Sequence, residues 1–82
     1  MKYKLMDDVF FKKISDELVS IIKYNDDDFI YKLESQVAKI FLLLVEGVEV
    51  SEVKAKLGAP ISDETLDQIV KDLVELTVLK EQ

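Results

Sequence analysis

The sequence contains no histidine and no cysteine. These are the commonest general base and the best thiol nucleophile of enzymes, so the residue types that most often perform catalysis are missing. Disulfides and thiolate metal ligands are excluded as well. Carboxylates are abundant, but a solvated surface or a helix cap accounts for each of them. We therefore predict that the chain is not an enzyme and holds neither a metal nor another cofactor.

Arginine is also absent: the eleven basic residues are all lysines, and seventeen acidic residues give a net charge of −6. Arginine is the usual residue for bidentate contacts with phosphate and carboxylate groups. Affinity for DNA comes mostly from neutralising phosphates. The charge balance therefore favours a basic or mainly apolar partner over nucleic acid or an anionic membrane surface.

Glycine-rich loops and long apolar runs are missing too. The chain has only two glycines, which excludes a phosphate-binding loop. No apolar stretch reaches the roughly 18 residues that a membrane span needs. Asp7 and Asp8 interrupt the N-terminal segment before an apolar run forms, so we predict no signal peptide and a cytoplasmic location.

The chain of 82 residues is long enough for a single domain, which we predict over 1–82. Short runs of β-branched and aromatic residues fill its first third. Val9–Ile14, Leu18–Tyr24 and Phe29–Leu33 are predicted strands. Ser15–Glu17 and Asn25–Asp28 supply the turns between them. Three strands with tight connections predict an antiparallel meander.

Asp26, Asp27 and Asp28 offer an alternative interpretation as calcium ligands. An EF-hand loop needs oxygen ligands at alternate positions over about twelve residues, with a final bidentate glutamate. Here the aspartates are consecutive and strand residues follow at once, so a solvated turn is the favoured interpretation.

The hydrophobic period then changes to that of a helix. Ser35 is a predicted N-cap, Gly47 is a predicted C′ residue, and the inward stripe between them is Val37, Ile40, Phe41, Leu44 and Val48. The segment Leu42–Val45 is apolar all round. It predicts a helix buried between the sheet and the third helix, with an exposed patch for a partner or a second copy as the alternative.

Two further helices complete the order β-β-β-α-α-α, an α+β fold. The second is predicted over Val50–Leu57 and is closed by Gly58. Ser62 or Asp63 caps the third, whose apolar stripe is Leu66, Ile69, Val70, Leu73 and Leu76.

This order resembles a small winged helix-turn-helix, yet its third helix is acidic. The run Ser62–Leu76 holds five carboxylates against Lys71 alone. A DNA-binding regulator stays an alternative function, but this charge argues against it.

An edge strand is the feature that points to a ligand. The third strand of a meander exposes main-chain groups, and an extended peptide binds such an edge by adding a strand. On a 100° wheel Leu66, Ile69, Leu73 and Leu76 face the core, whereas Val70 and Val74 lie on one flank, bordered by Asp67 and Lys71. That flank is the predicted pocket wall, and the alternative is that both valines only widen the core stripe.

Four strings resemble the PqqD family of peptide-recognition elements, in order and spacing over about 9–80: FFKKISDELVSII, FIYKLESQVAKIFLLLVEG, VEVSEVKAKL and DETLDQIVKDLVELTVLKE. The most characteristic piece is Leu33, a polar pair and an apolar helix ending in Gly47. The resemblance implies a winged helix-turn-helix with an N-terminal three-stranded antiparallel sheet followed by three helices.

The resemblance also implies a function. Members are non-catalytic, bind the leader segment of a precursor peptide as a strand added to the third strand against the third helix, and present it to a maturase, often a radical S-adenosylmethionine enzyme. Carried over, the peptide-binding residues are Phe29, Ile30, Tyr31, Lys32, Leu33, Asp67, Val70, Lys71 and Val74. The expected state is a monomer or a weak homodimer.

Some positions depart from the family pattern. Lys12 and Lys13 stand where many relatives have arginine, and Thr77 precedes Val78 and Leu79 where many have a glycine. The pathway therefore stays open between pyrroloquinoline quinone and another modified peptide. An interaction module of an unrelated complex is a further alternative.

Overall fold

The computed structural model describes residues 2–24 and 29–82. In this part of the chain a three-stranded antiparallel sheet precedes three helices, so the predicted α+β class is confirmed. The elements are β1 Tyr3–Leu5, β2 Val9–Ser15, β3 Leu18–Lys23, β4 Phe29–Glu34, α1 Ser35–Val45, α2 Val50–Leu57, α3 Asp63–Glu75 and β5 Leu79–Glu81.

The larger sheet has the order β2-β3-β4, which confirms the predicted meander. Phe11 lies opposite Ile21, and Ile21 lies opposite Tyr31 on the next strand. Ile21 and Val19 on the central strand are fully buried, so this face of the sheet covers the core. The predicted turn at Asn25–Asp28 lies outside the described residues.

A second, two-stranded sheet was not predicted. It joins the ends of the chain, with Tyr3 opposite Glu81 and Leu5 opposite Leu79. The N–H of Met6 extends it by donating to the carbonyl oxygen of Val78 at 3.0 Å. Strands of three residues carry too little alternation for a sequence pattern, and their pairing depends on contacts between residues far apart in the chain.

The start of α1 corrects a prediction. Glu34, and not Ser35, is the N-cap residue, and no side chain caps the helix. Ser35 has a left-handed backbone with φ 56°, and its N–H donates to the carbonyl oxygen of Glu17 at 2.9 Å. Because β4 stays paired through Glu34 opposite Leu18, the chain must turn sharply at Ser35 to enter the helix.

The end of α1 confirms the prediction for Gly47, which has φ 94° at the C′ position. Its N–H donates to the carbonyl of Leu44 at 3.1 Å, and that of Val48 donates to Leu43 at 3.2 Å. This pair of bonds is the Schellman motif, which needs a left-handed C′ residue.

Helix α3 begins as predicted and ends with a residue that is unusual for its place. The Ser62 side chain accepts a hydrogen bond from the N–H of Thr65 at 3.1 Å and so caps the helix. At the other end Thr77 has φ 57°. The N–H groups of Thr77 and Val78 donate to Val74 and Leu73, both at 3.0 Å. A threonine thus occupies the position where such motifs usually have glycine.

Lys23 holds this strained end of α3 against the sheet. It lies on β3 and is only 5% exposed. Its Nζ donates to the carbonyl oxygen of Leu76 at 3.0 Å and also to Oγ1 of Thr77. A cation near the last carbonyls of a helix complements the negative end of the helix dipole.

The side chains of α3 that face the core differ from the predicted set. Leu66, Val70 and Leu73 are buried, whereas Ile69 is half-buried and Leu76 is 41% exposed. The helix ends one residue earlier than predicted, and the chain turns there. Leu76, the last leucine of the predicted stripe, is therefore displaced from the core. Val70, one of the two valines predicted on the flank, occupies a core position instead.

The apolar end of α1 is buried at one position and half-buried at three, which is less than the predicted burial between the sheet and the third helix. Leu44 is fully buried, and Leu42, Leu43 and Val45 are half-buried against the core. Phe41 is also fully buried, and its ring meets that of Phe11 edge to face at a centroid distance of 5.2 Å.

Replacing Phe41 with alanine is expected to lower the free energy of unfolding by about 3–5 kcal/mol, because it leaves a cavity between α1 and the sheet. Urea denaturation measures this change. Phe10→Ala is the matched control, since Phe10 is 56% exposed on the opposite face of the sheet. A Phe41→Ala variant as stable as the control would contradict the packing of α1.

Replacing Lys23 with methionine keeps most of the side-chain volume but removes the donor to Leu76. We expect a loss of about 1–3 kcal/mol in unfolding free energy, because a hydrogen bond from a charged group is removed. Lys32→Met, at an exposed position of β4, is the control. Amide exchange should also accelerate in the last turn of α3. Unchanged exchange there would show that Lys23 does not hold this helix end.

Candidate functional site

The strand half of the predicted site lies at the edge of the larger sheet. In the described residues β4 has β3 as its neighbour on one side. Ile30 is 61% exposed, and Lys32 is exposed as well. Tyr31 is half-buried and Leu33 is buried, so both turn toward the core. Phe29 begins the strand opposite Lys23.

The helix half of the predicted site lines a groove of about 910 Å³. We call it the α2–α3 groove; its lining residues are Tyr3, Val50, Ser51, Lys54, Asp63, Leu66, Asp67, Val70, Lys71, Val74 and Glu75. All four predicted helix residues are in this set. The wall opposite them consists of α2 and Tyr3, and no residue of β4 borders the groove among those that the structure describes. The groove therefore brings together the helix residues but not the strand residues.

Two contacts outside the groove set the direction of α3 relative to β4. Before its beginning, Nε2 of Gln36 on α1 donates to the carbonyl oxygen of Pro60, three residues ahead of α3, at 3.5 Å. At its end, Nζ of Lys23 donates to the carbonyl oxygen of Leu76 at 3.0 Å. Gln36 follows the end of β4, whereas Lys23 lies opposite Phe29 at its beginning. Helix α3 therefore runs antiparallel to β4, and both are roughly 20 Å long.

Charged side chains form the rim of the α2–α3 groove. Lys54 on α2 binds Asp63 on α3 with a distance of 2.9 Å between Nζ and Oδ1. Asp67, Lys71 and Glu75 follow along α3 at intervals of four residues, and all three are exposed. In residues 2–24 and 29–82 no ion pair involves these three side chains. They are available to a ligand.

A second concave surface, of about 290 Å³, lies between the β2–β3 turn, α1 and α2. Its lining residues are Lys13, Asp16, Lys39, Leu42, Leu43, Glu46, Lys56 and Leu57. The patch considered at Leu42–Val45 thus contributes two leucines to a surface pocket. Sequence patterns did not indicate the three lysines around it, because they come from three separate elements.

The pKa of Asp16 is lowered by a hydrogen bond from Lys13 and by the charge of the same lysine. The distance between Nζ and Oδ1 is 3.0 Å. A lowered pKa means that the folded state favours the carboxylate. This contact therefore stabilises the turn above the ordinary titration range of aspartate and is lost as the pH falls through the lowered pKa.

The outer face of the larger sheet carries an apolar cluster that was not predicted. The rings of Phe10 and Tyr24 meet edge to face at 5.0 Å. Phe10 lies opposite Ile22, which lies opposite Ile30. Residues two apart in a strand lie on the same face, so the sequence indicates that Phe10 and Lys12 share this outer face. The residues that lie beside Phe10 on the other strands depend on the pairing register, which the sequence pattern does not give.

Two kinds of site have no support in the part of the chain that the structure describes. No group of three or more acidic side chains is placed to hold a metal ion. None of the described helices is long and apolar enough to cross a membrane.

Comparisons with known proteins return no match, whether the sequence is compared with family models, with curated proteins or with solved structures. The resemblance to the PqqD family therefore stays a prediction. The geometry of β4 and α3 is the basis for the functional proposal that follows.

Proposed function

We propose that this chain is a non-catalytic, cytoplasmic peptide-binding domain of the PqqD-like type. It binds the leader segment of a precursor peptide along β4 and presents the peptide to a maturase, such as a radical S-adenosylmethionine enzyme. In this proposal the three helices and the sheet form a winged helix-turn-helix. The single observation that carries it is the edge position of β4, together with a helix of similar length that runs antiparallel to this strand.

An extended segment is the ligand that this arrangement fits. The edge of β4 supports main-chain pairing, which supplies affinity for almost any sequence. Side chains of the added strand alternate between the two faces of the sheet. One set then continues the inner row of Tyr31 and Leu33, and the other continues the outer row of Ile30 and Lys32.

For the helix wall, the proposal takes Ile69 and Leu76 in place of the flank inferred from the sequence. Ile69 lies two residues before Lys71, and Leu76 lies two residues after Val74. Two residues correspond to a rotation of about 160° around the helix, so both lie on the opposite flank. Since the flank of Lys71 and Val74 borders α2, the opposite flank is directed away from α2. Ile69 is half-buried and Leu76 is 41% exposed, which leaves apolar surface for the side chains of a peptide.

The peptide should be tested by titrating ¹⁵N-labelled protein with the synthetic leader of a short precursor encoded beside this gene. We expect amide shifts in Phe29–Leu33 and around Ile69 and Leu76, with little change at Phe10–Ile14 on the opposite edge. The control edge matters because β2 is also an outer strand. Shifts confined to α1 or to the lining of the α2–α3 groove would contradict strand addition to β4.

Backbone methylation of the peptide separates main-chain pairing from side-chain contacts. N-methyl groups on alternate residues remove donors from one edge of an added strand and leave the other edge intact. One alternate set should abolish binding and the other should preserve it. Equal effects of both sets would show that the peptide does not bind as a strand. On the protein, Ile30→Pro should weaken binding more than Ile30→Ala at a temperature where both variants are folded.

DNA binding is expected to be weaker than the usual non-specific range of about 10⁻⁴–10⁻⁶ M at physiological salt. The reason is the row of carboxylates on α3, including the exposed Asp67 and Glu75. A gel-shift assay with a mixed-sequence duplex measures this. Complex formation at low-micromolar protein, with a steep dependence on salt, would favour the alternative of a DNA-binding regulator.

A further inference from the structure

The α2–α3 groove lies outside the strand-addition surface and has an apolar floor. Leu66 and Val70 are buried at its base, and Val74 is 37% exposed. Val50 on α2 and Tyr3 on β1 close the other side. With a volume of about 910 Å³, the groove has room for several apolar side chains of a ligand.

The elements around this groove select the conformation of its ligand. Apart from Tyr3, its walls are two helices, whose main-chain groups are hydrogen-bonded within each helix, so an extended peptide would find few main-chain partners along them. A helical ligand needs none, because its own backbone is satisfied internally. An apolar groove between helices is accordingly a surface on which an amphipathic helix packs.

The rim of the groove selects the charges of that helix. Asp67, Lys71 and Glu75 form a row of alternating sign about 12 Å long, at 1.5 Å per residue. A helix lying alongside α3 presents charges at the same interval when they are four residues apart. The complementary row is basic, acidic and basic, next to an apolar stripe.

We propose that the α2–α3 groove binds one amphipathic helix of a protein partner, with its apolar face on Val70 and Val74. Basic residues of this helix lie opposite Asp67 and Glu75, and an acidic residue four positions from each lies opposite Lys71. The proposal goes beyond peptide binding at β4, because it uses the other flank of α3 and a partner of different conformation. The domain then has room for an extended peptide and a helical partner at the same time.

The probe is a synthetic helical peptide of about 18 residues, or five turns, with a leucine stripe and the order Lys, Glu, Lys at intervals of four. A second peptide with the order Glu, Lys, Glu is the matched control. We expect the first to shift the amides of Val50, Ser51, Val70 and Val74 and to bind about tenfold or more tightly than the second, since three contacts change sign. Equal affinities, or shifts confined to β4, would overturn the proposal.

A charge swap tests the register. Lys71→Glu should weaken binding of the first peptide, and replacing the central glutamate of the peptide with lysine should restore it. Asp72→Lys is the control on the protein, because Asp72 is exposed on the same helix and does not line the groove. Failure of the swap to restore binding, or an equal loss in Asp72→Lys, would contradict the register.

Two further outcomes are decisive. If the groove amides shift on raising the protein concentration without peptide, a second copy is the occupant and the proposal is wrong. If the leader peptide shifts β4 while the helical probe leaves the groove unchanged, this inference fails and the proposed function stands. The reverse pattern would reject strand addition and retain the groove.

Discussion

A buried ammonium group determines where α3 lies. Lys23 is the last residue of the central strand β3 and donates to the carbonyl oxygen of Leu76. A charge that is removed from water needs close polar partners, and the last carbonyls of α3 are such partners. The same contact supports the left-handed Thr77, whose conformation reverses the chain. The chain is then able to return as β5 and pair with β1.

Because this end of α3 is fixed, the two flanks of the helix have different surroundings. One flank borders α2 and Tyr3 and lines the large groove. The other bears Ile69 and Leu76 and is directed away from α2. In the two proposals made above, one helix separates the surface for an extended peptide from the surface for a helical partner.

The composition of the chain agrees with this arrangement. Histidine and cysteine are absent from the sequence, and the carboxylates of α3 repel phosphates. Lysines serve structural contacts instead: Lys23 binds the end of α3, Lys54 joins α2 to α3, and Lys13 binds Asp16 in the turn that follows β2.

The sequence by itself determined the elements whose causes are local. Alternation of side chains predicted the three strands, the helical stripe predicted the burial of Phe41, and glycine's tolerance of positive φ predicted the role of Gly47. The edge position of β4 followed from the number of strands and their short connections. The strand half of the candidate site was therefore predictable from the order of residues alone.

Tertiary structure alone decided the rest, because the causes lie in residues distant in the chain. Pairing of Glu34 with Leu18 displaced the helix cap from Ser35, and the pairing of β1 with β5 joins segments that have no periodicity of their own. On α3, a helical wheel shows which residues share a flank but not which neighbour that flank meets. The position of α2 placed Asp67, Val70, Lys71 and Val74 in one groove, and packing turned Val70 into the core while Leu76 stayed partly exposed.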